Sequence, residues 1–288
     1  MAGLRELLMV GPGGLRLAEV DPRSTPGLPE QRVVGDDPKQ WSKTQVTAIS
    51  EELNAYQERL YASAKEGATN RRVLLVLQSM DCGGKDGAVR NVTQRMSPAG
   101  MKAVSFGPPD QEERRHDFLW RVRRALPPVG HVGIFNRSHY EDVLIARVHD
   151  LVGEDVWSQR YDLINDFEAE QAAEGLTLVK VMLHISKDEQ KKRLLARLDD
   201  QSKHWKYDPG DLDDRARWDD YQRAYEDAIN RCNTAAAPWY VVPADRKWYR
   251  NWAVATLLRD AFAAINPQYP EPKFDVTAER AKLLAADG

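Results

Sequence analysis

Val73-Leu74-Leu75-Val76-Leu77-Gln78-Ser79-Met80-Asp81-Cys82-Gly83-Gly84-Lys85-Asp86-Gly87 sets an unbroken apolar run directly before a glycine-rich turn. The run from Val73 to Leu77, bounded by polar residues, suits a strand buried on both faces of a parallel sheet. A helix-like stretch, Ala88 to Met96, follows the turn. Strand, glycine-rich turn and helix in that order form the setting of a phosphate loop. Successive N–H groups make a concave nest, and the new helix turns its positive end toward the anion. Glycines let the backbone approach phosphate oxygens, and Lys85 can bridge two of them. Gly83, Gly84, Asp86 and Gly87 are thus candidates for holding phosphate or nucleotide, with Arg90 on the helix that follows.

The stretch departs twice from the pattern G-x-x-x-x-G-K-[ST]: Ser79 stands for the first glycine, and Asp86 for the Ser/Thr that normally holds Mg²⁺. A Gly-Gly-Lys turn also suits simple chain reversal, so its place after an apolar strand carries the argument. Asp81 adds a carboxylate inside the nest, where it repels a phosphate unless a metal ion or proton lies between. It reads as a metal ligand or a base; a helix N-cap would be expected nearer Gly84.

Further short apolar runs occur at Ala103 to Phe106, His131 to Phe135, Leu176 to Leu183 and Trp239 to Val242. Helix-like stretches lie between and after them: Gln111 to Leu126, Val156 to Glu174, Lys187 to Leu198, Arg215 to Asn233 and Lys247 to Ile265. An amphipathic helix from Trp41 to about Lys65 places Val46, Ile49, Leu53, Tyr56 and Leu60 at helical spacing. Strands alternating with helices predict an α/β fold with a mostly parallel, doubly wound sheet. Residues 1 to about 40 hold Pro12, Pro22, Pro26, Pro29 and Pro38 and read as an extended arm without a long helix. Asp199 to Asp220 is too polar for core and reads as an exposed, mobile excursion. The chain after Pro267 reads as a tail ending in a short helix.

At the end of the run His131 to Phe135 the polarity switches at once to Asn136-Arg137-Ser138-His139-Tyr140-Glu141-Asp142. In open α/β sheets the ligand crevice lies off the carboxyl ends of the strands, so these are candidate site residues. A phosphate-loop protein usually places an acid here for Mg²⁺. Asn136 carries no charge, which leaves Glu141 or Asp142, with Asp81, to supply it. A helix N-terminus whose dipole they complement is the competing reading of Glu141 and Asp142. Arg137 is placed to stabilise charge on a phosphoryl group in transfer.

The 288 residues carry 41 Lys+Arg against 44 Asp+Glu, a net charge of −3, which argues against indiscriminate coating of nucleic acid. The charge is uneven. Arg71 to Arg147 holds 13 basic and 8 acidic residues, leaving 28 basic and 36 acidic elsewhere. A basic block within an acidic chain points to a local anion site, or else to solvated helix faces. No apolar run reaches the roughly 18 residues of a membrane span. Leu7 to Val10 is too short for a signal-peptide core. Cys82 and Cys232 cannot make a disulfide framework, and a cytoplasmic setting is expected.

Three segments together carry a family likeness: LLVLQSMDCGGKDGAVRNV, HDFLWRVRRALPPVGHVGIFNRSHYEDVLIARV and HISKDEQKKRLLARLDDQSKHWKYDPGDLDDRARWDDY. From roughly Trp41 to Ile265 the chain resembles the polyphosphate kinase 2 family. The resemblance implies a three-layer P-loop NTPase-like fold, similar to thymidylate kinase, with a helical lid. It implies Mg²⁺-dependent phosphoryl transfer (Mn²⁺ being the alternative ion) between inorganic polyphosphate and nucleotides. Asp81 and Lys85 match the family's loop aspartate and lysine, Asn136-Arg137 its Walker B Asp-Arg, and Arg193 and Arg197 its lid arginines, which with Arg137 are expected to stabilise the transferring group. Asn136 is the main departure. The wording NRSHYED is similar to the branch that phosphorylates both AMP and ADP, with Glu141 near nucleotide and metal. A homodimer or homotetramer is implied by family likeness alone.

A flexible polyanion needs a line of cations, and Arg114, Arg121 and Arg124, with Arg115 and Arg123, fall on one predicted helix at spacings of three and four. Ion pairs with Glu112, Glu113 and Asp117 are the competing reading. Lys203 and Lys206, beside His204 and Trp205, are expected to reach polyphosphate or nucleotide from a lid spanning about 187–220, within a kinase domain of 41–266. Closure of such a lid would exclude water. His116 and His139 read as structural histidines, and Trp239, Trp248 and Trp252 as packing. The expected activity is transfer from polyphosphate to ADP and AMP, yielding ATP and ADP, with no membrane or nucleic-acid partner. The rivals are an ATP-dependent nucleoside monophosphate kinase, which needs less basic track, and a non-catalytic nucleotide- or polyphosphate-binding module.

Overall fold

Arg72–Gln78 (β1) takes the centre of a five-stranded sheet because both of its faces are apolar. The structure, a computed structural model, describes Gly3 to Ala286. Met101–Ser105 (β2), Val132–Asn136 (β3), Leu176–His184 (β4) and Trp239–Pro243 (β5) complete the sheet in the order β2-β3-β1-β4-β5. Every pairing among these five strands is parallel. Leu77 lies opposite Asn136, so the turns that follow β1 and β3 start at one level.

The described residues form twelve helices besides the sheet: Leu4–Leu8 (α1), Gln31–Val34 (α2), Pro38–Lys65 (α3), Lys85–Thr93 (α4), Trp120–Ala125 (α5), Ile145–Val148 (α6), Glu154–Ala173 (α7), Lys187–Leu198 (α8), Asp211–Ala216 (α9), Trp218–Arg231 (α10), Lys247–Ile265 (α11) and Val276–Ala286 (α12). Val73, Leu75 and Leu77 point to one face, into a core shared with α3, α4 and α11. Leu74 and Val76 point to the other, against Phe135, Val122 of α5 and Phe167 of α7. Burial of each such side chain is worth about 1.5–3 kcal/mol. The connection leaving β1 crosses one face of the sheet and that leaving β3 crosses the other. A crevice therefore opens between their carboxyl ends.

The structure departs from the sequence reading in four places. The predicted helix Gln111 to Leu126 is broken into a single turn at Glu113–Arg115 and the six-residue α5. The Asp117 carboxylate accepts from the Leu119 amide at 3.0 Å and restarts the chain there. Arg215 to Asn233 is likewise divided, between α9 and α10. The proline-rich segment has no long helix up to Pro38, but it is no free arm. Leu4, Leu8, Val10 and Leu17 are buried, and Met9 pairs antiparallel with Tyr240 on β5. α3 starts at Pro38, inside that segment, because Asp37 caps it by accepting from the amides of Lys39 and Gln40. The polar excursion after α8 is folded as a helical turn at Gln201–Lys206 followed by α9. Among the described residues no helix is long and apolar enough to cross a membrane.

Candidate active site

The turn after β1 is held from several sides. The Lys85 ammonium donates to the Ser79 carbonyl at 2.9 Å and to its hydroxyl at 3.1 Å, so Ser79 anchors the loop's own lysine. Gly84 caps α4 at φ +104°, a conformation that favours glycine. Cys82, at φ +63°, adopts it without that freedom. Such backbone persists only where surrounding contacts over-determine it. Here Gln190 of α8 donates to the Asp81 carbonyl at 3.1 Å, and Arg193 donates to the Cys82 carbonyl at 2.9 Å.

At the end of β3, Arg137 also stands at positive φ, +62°, its amide bonded to the Leu77 carbonyl at 3.0 Å. Its guanidinium meets the Asp81 carboxylate at 3.0 Å. Burial opposes the charge on Arg137, but Glu141 and then Asp81 more than offset it and hold the guanidinium protonated. Asn136 donates to Asp86 at 2.9 Å. The turn that carries Glu141 rests on a buried polar cluster. Tyr140 donates to Glu168 at 2.9 Å, His139 lies 3.2 Å from the same carboxylate, and Lys180 bridges Glu168, Tyr140 and the Cys232 carbonyl. His139 is thus structural, as expected.

These elements enclose a cavity of about 700 Å³. Asp81, Lys85, Asp86, Gly84, Gly87, Asn136 and Arg137 line one side. Arg193, Arg197, Lys203 and Lys206, from α8 and the turn after it, line another. Five of its cations have carboxylate partners: Arg137 with Asp81, Arg193 with Glu189, Arg197 with Asp211, Lys203 with Asp200 and Lys206 with Asp86. Arg193 is largely spent on backbone, donating also to the Ala244 and Asp245 carbonyls. A second cavity, of about 470 Å³ and more apolar, adjoins the first through Phe106, Gly107 and Arg137. Phe118, Pro108, Pro109, Ile145 and Leu151 shape it, and Glu141, Asp142 and Arg160 add charge.

Among the described residues no three of His, Cys, Asp and Glu converge as a ready-made metal cage. Mg²⁺ does not need one: it takes one or two protein carboxylates and completes its shell with phosphate and water. Asp81 and Glu141 fit that role. Burial pushes the Glu141 carboxyl up, Arg137 and Lys85 pull it down, and Asp81 raises it again. A buried acid beside a second carboxylate gains from a cation between them.

The family described as polyphosphate kinase 2 (PPK2) matches residues 38–270. The chain belongs to this family. It is 48% identical over 235 residues to an AMP/ADP-polyphosphate phosphotransferase of Meiothermus ruber, covering 82% of this chain and 86% of the relative. It is 41% identical over 246 residues to an ADP-polyphosphate phosphotransferase of Rhodopseudomonas palustris, covering 81% and 82%. The crystal structure of polyphosphate kinase 2 from Arthrobacter aurescens TC1 superimposes with a TM-score of 0.93 at 48% identity, covering 99% of this chain and 97% of that one. The parallel α/β sheet with a phosphate loop after β1 is the fold that the family likeness implies.

Within this polyphosphate kinase 2 chain the expected arginine line does not form. Arg121 is buried and turned inward, donating to the Gly107 carbonyl at 2.9 Å and pairing with Glu113 and Asp142. Arg124 lies over the Trp120 ring and lines a side groove. Arg114 lies at the second cavity, and Arg90 at a shallow groove beside Asp86. None of these four lines the phosphate-loop cavity; for Arg114, Arg121 and Arg124 the reason is the break at Asp117, which destroys the common helix face. Cations that the sequence reading passed over stand there instead, Lys247 and Arg250 of α11, together with the acids Asp208 and Asp211. Burial and the neighbouring Asp81 push Asp211 up to about 6, against the pull of Arg197.

Proposed function

We propose that the chain transfers the terminal phosphoryl group of inorganic polyphosphate to ADP, and to AMP, with Mg²⁺, and that the reaction runs in both directions. The observation that carries this reading is the joining of two unlike cavities at Arg137. The larger is ringed by cations and suits a polyanion; the smaller is more apolar and suits a nucleoside. The names of the relatives from Meiothermus ruber and Rhodopseudomonas palustris support the same substrates.

Phosphoryl transfer asks for positioning and charge neutralisation more than for covalent chemistry. In this reading the amides of residues 84 to 87 and the Lys85 ammonium cradle the phosphoryl group in transfer. Arg137 serves both cavities and stabilises the charge that develops between them. Asp81 and Glu141 would hold Mg²⁺, which when bound neutralises phosphate charge at the transfer point. Arg193 keeps the loop in shape by binding its carbonyls, and Arg197, Lys203 and Lys206 close over the donor from segment 187–220, excluding water. The same reading puts the protein in the cytoplasm as a homodimer or homotetramer. Exposed Tyr269, Phe274, Leu283 and Leu284 at the C-terminal end offer apolar surface for the contact.

Incubation with Mg²⁺, long-chain polyphosphate and ADP or AMP, followed by nucleotide separation, tests the function. ATP or ADP should accumulate. A chain that makes neither, yet transfers from ATP to a nucleoside monophosphate, is an ordinary nucleotide kinase, and the reading fails. Light scattering tests the assembly.

A further inference from the structure

Arg250 lies on α11, 167 residues from Gly83 in sequence, yet it is packed into the phosphate loop. A Cβ added to Gly84 would come within 1.7 Å of its Nη1, and one at Gly87 within 2.8 Å of its Nη2. The loop's glycines therefore make room for a guanidinium as well as for an anion. Only 3% of Arg250 is exposed, and its partners are neutral: the Gly83 carbonyl at 3.3 Å and the Asn251 side-chain oxygen at 2.7 Å. Neither it nor Lys247, one turn earlier, has a carboxylate within 4.0 Å among the described residues, although both line the larger cavity.

A buried cation without a counter-charge is expensive, and its cost is offset when an anion binds beside it. Burial, and then the adjacent Arg193, push the charged form of Arg250 down. Arg137 and the lid cations Arg193, Arg197, Lys203 and Lys206 already have acids to satisfy them, and Lys85 is committed to the Ser79 carbonyl and hydroxyl. Arg250 and Lys247 hold their charge in reserve.

Resting on the function proposed above, we propose that Arg250 is a donor-side phosphate ligand. It contacts the polyphosphate chain behind the phosphoryl group in transfer, and the chain leaves the cavity past Lys247 at the start of α11. The donor path then runs along α8 and α11 and not along Arg114, Arg121 and Arg124. A guanidinium suits this place because its planar fork can bind oxygens of two successive phosphates.

Arg250→Ala and Arg250→Lys in the full chain test this, with KM for polyphosphate and for ADP measured separately and polyphosphate affinity measured by calorimetry. Arg250→Ala should raise the polyphosphate KM and Kd by about tenfold or more while the ADP KM stays within about twofold. Added guanidinium ion should restore part of the loss, which a role confined to packing would not allow. Equal changes in both KM values, no change, or a loss that guanidinium leaves untouched overturns the proposal. If the alanine variant does not fold, Arg250→Lys decides: wild-type polyphosphate affinity in that folded variant overturns it, and selective weakening supports it. Wild-type chain that binds polyphosphate without transferring phosphate would sink the functional reading alone, since the calorimetry still tests Arg250.

Discussion

The Lys206 ammonium stands 3.3 Å from the Asp86 carboxylate, tying the segment after α8 to the first turn of α4. Asp86 occupies the position where the strict phosphate-loop pattern has Ser or Thr. The Asn136 amide and Lys206 hold its carboxyl below the usual range, against the effect of burial. The pair is a bridge across the mouth of the phosphate cavity. Being half exposed, it contributes less than about 1 kcal/mol to stability.

Lys206→Met should therefore leave the thermal midpoint almost unchanged while weakening polyphosphate binding by about tenfold. Calorimetry and a thermal melt on one preparation check both halves. A large fall in midpoint would mean that the contact is architectural.

Lys85 presents the opposite case. Burial pushes its ammonium down, and Asp81 pulls it back up. Lys85→Ala should lower kcat by about a hundredfold to a thousandfold, with no loss of stability, because the change removes a desolvated charge along with its ligand contact. Full activity in that variant would remove Lys85 from the transfer site.

Chelation should abolish turnover, and added Mg²⁺ should restore it. Glu141→Gln should raise the Mg²⁺ concentration needed for half activity by about tenfold to a hundredfold, comparable to the loss of a metal-supporting carboxylate elsewhere. Titration of initial rate against Mg²⁺, repeated with Mn²⁺, measures this. An unchanged requirement would mean that Asp81 acts without Glu141.

Beneath the β3 turn, Glu168 is fully buried between Lys180 and His139. Burial alone would raise its pKa, but Lys180 and then His139 more than offset it, so the folded value lies below the ordinary one. A depressed carboxylate contributes stability above its unfolded pKa of about 4.3 and loses it as pH falls through the folded value. Lys180→Met should cost about 3–5 kcal/mol in urea unfolding at pH 7, and Lys180→Met with Glu168→Leu should recover much of it. The gap between wild type and Glu168→Gln should narrow below about pH 4. A single-variant loss under about 1 kcal/mol would contradict the buried ion pair.

Local pattern determined what could be read in advance. α8 and α11 run over the helix-like stretches that the sequence marks, Lys187–Leu198 and Lys247–Ile265. β1, β3, β4 and β5 were legible as short apolar runs because the parallel sheet covers both of their faces. β2, a half-exposed edge strand, was marked only by the run Ala103 to Phe106. The stretch 111–126 misled because its arginines keep helical spacing across a side-chain-capped turn at Asp117 that periodicity does not register. Arg250 was hidden for another reason. It sits in a mostly apolar helix, and only the placement of β5 beside β4 carries that helix back to the loop after β1. The two glycines that face it, Gly84 and Gly87, were visible, but a sequence does not say what a missing Cβ leaves room for.

The short bridge between Met9 and Tyr240 carries a cost for anyone who trims the chain to its kinase motifs. β5 is the last strand on its side of the sheet, and an open strand edge is a template for pairing with another molecule. Residues 4 to 17 cover that edge with Leu4, Leu8 and Val10, and the Val10 amide bonds to the Trp239 carbonyl at 2.9 Å. Removing them would uncover a sticky border and invite aggregation before any loss of catalysis could be measured.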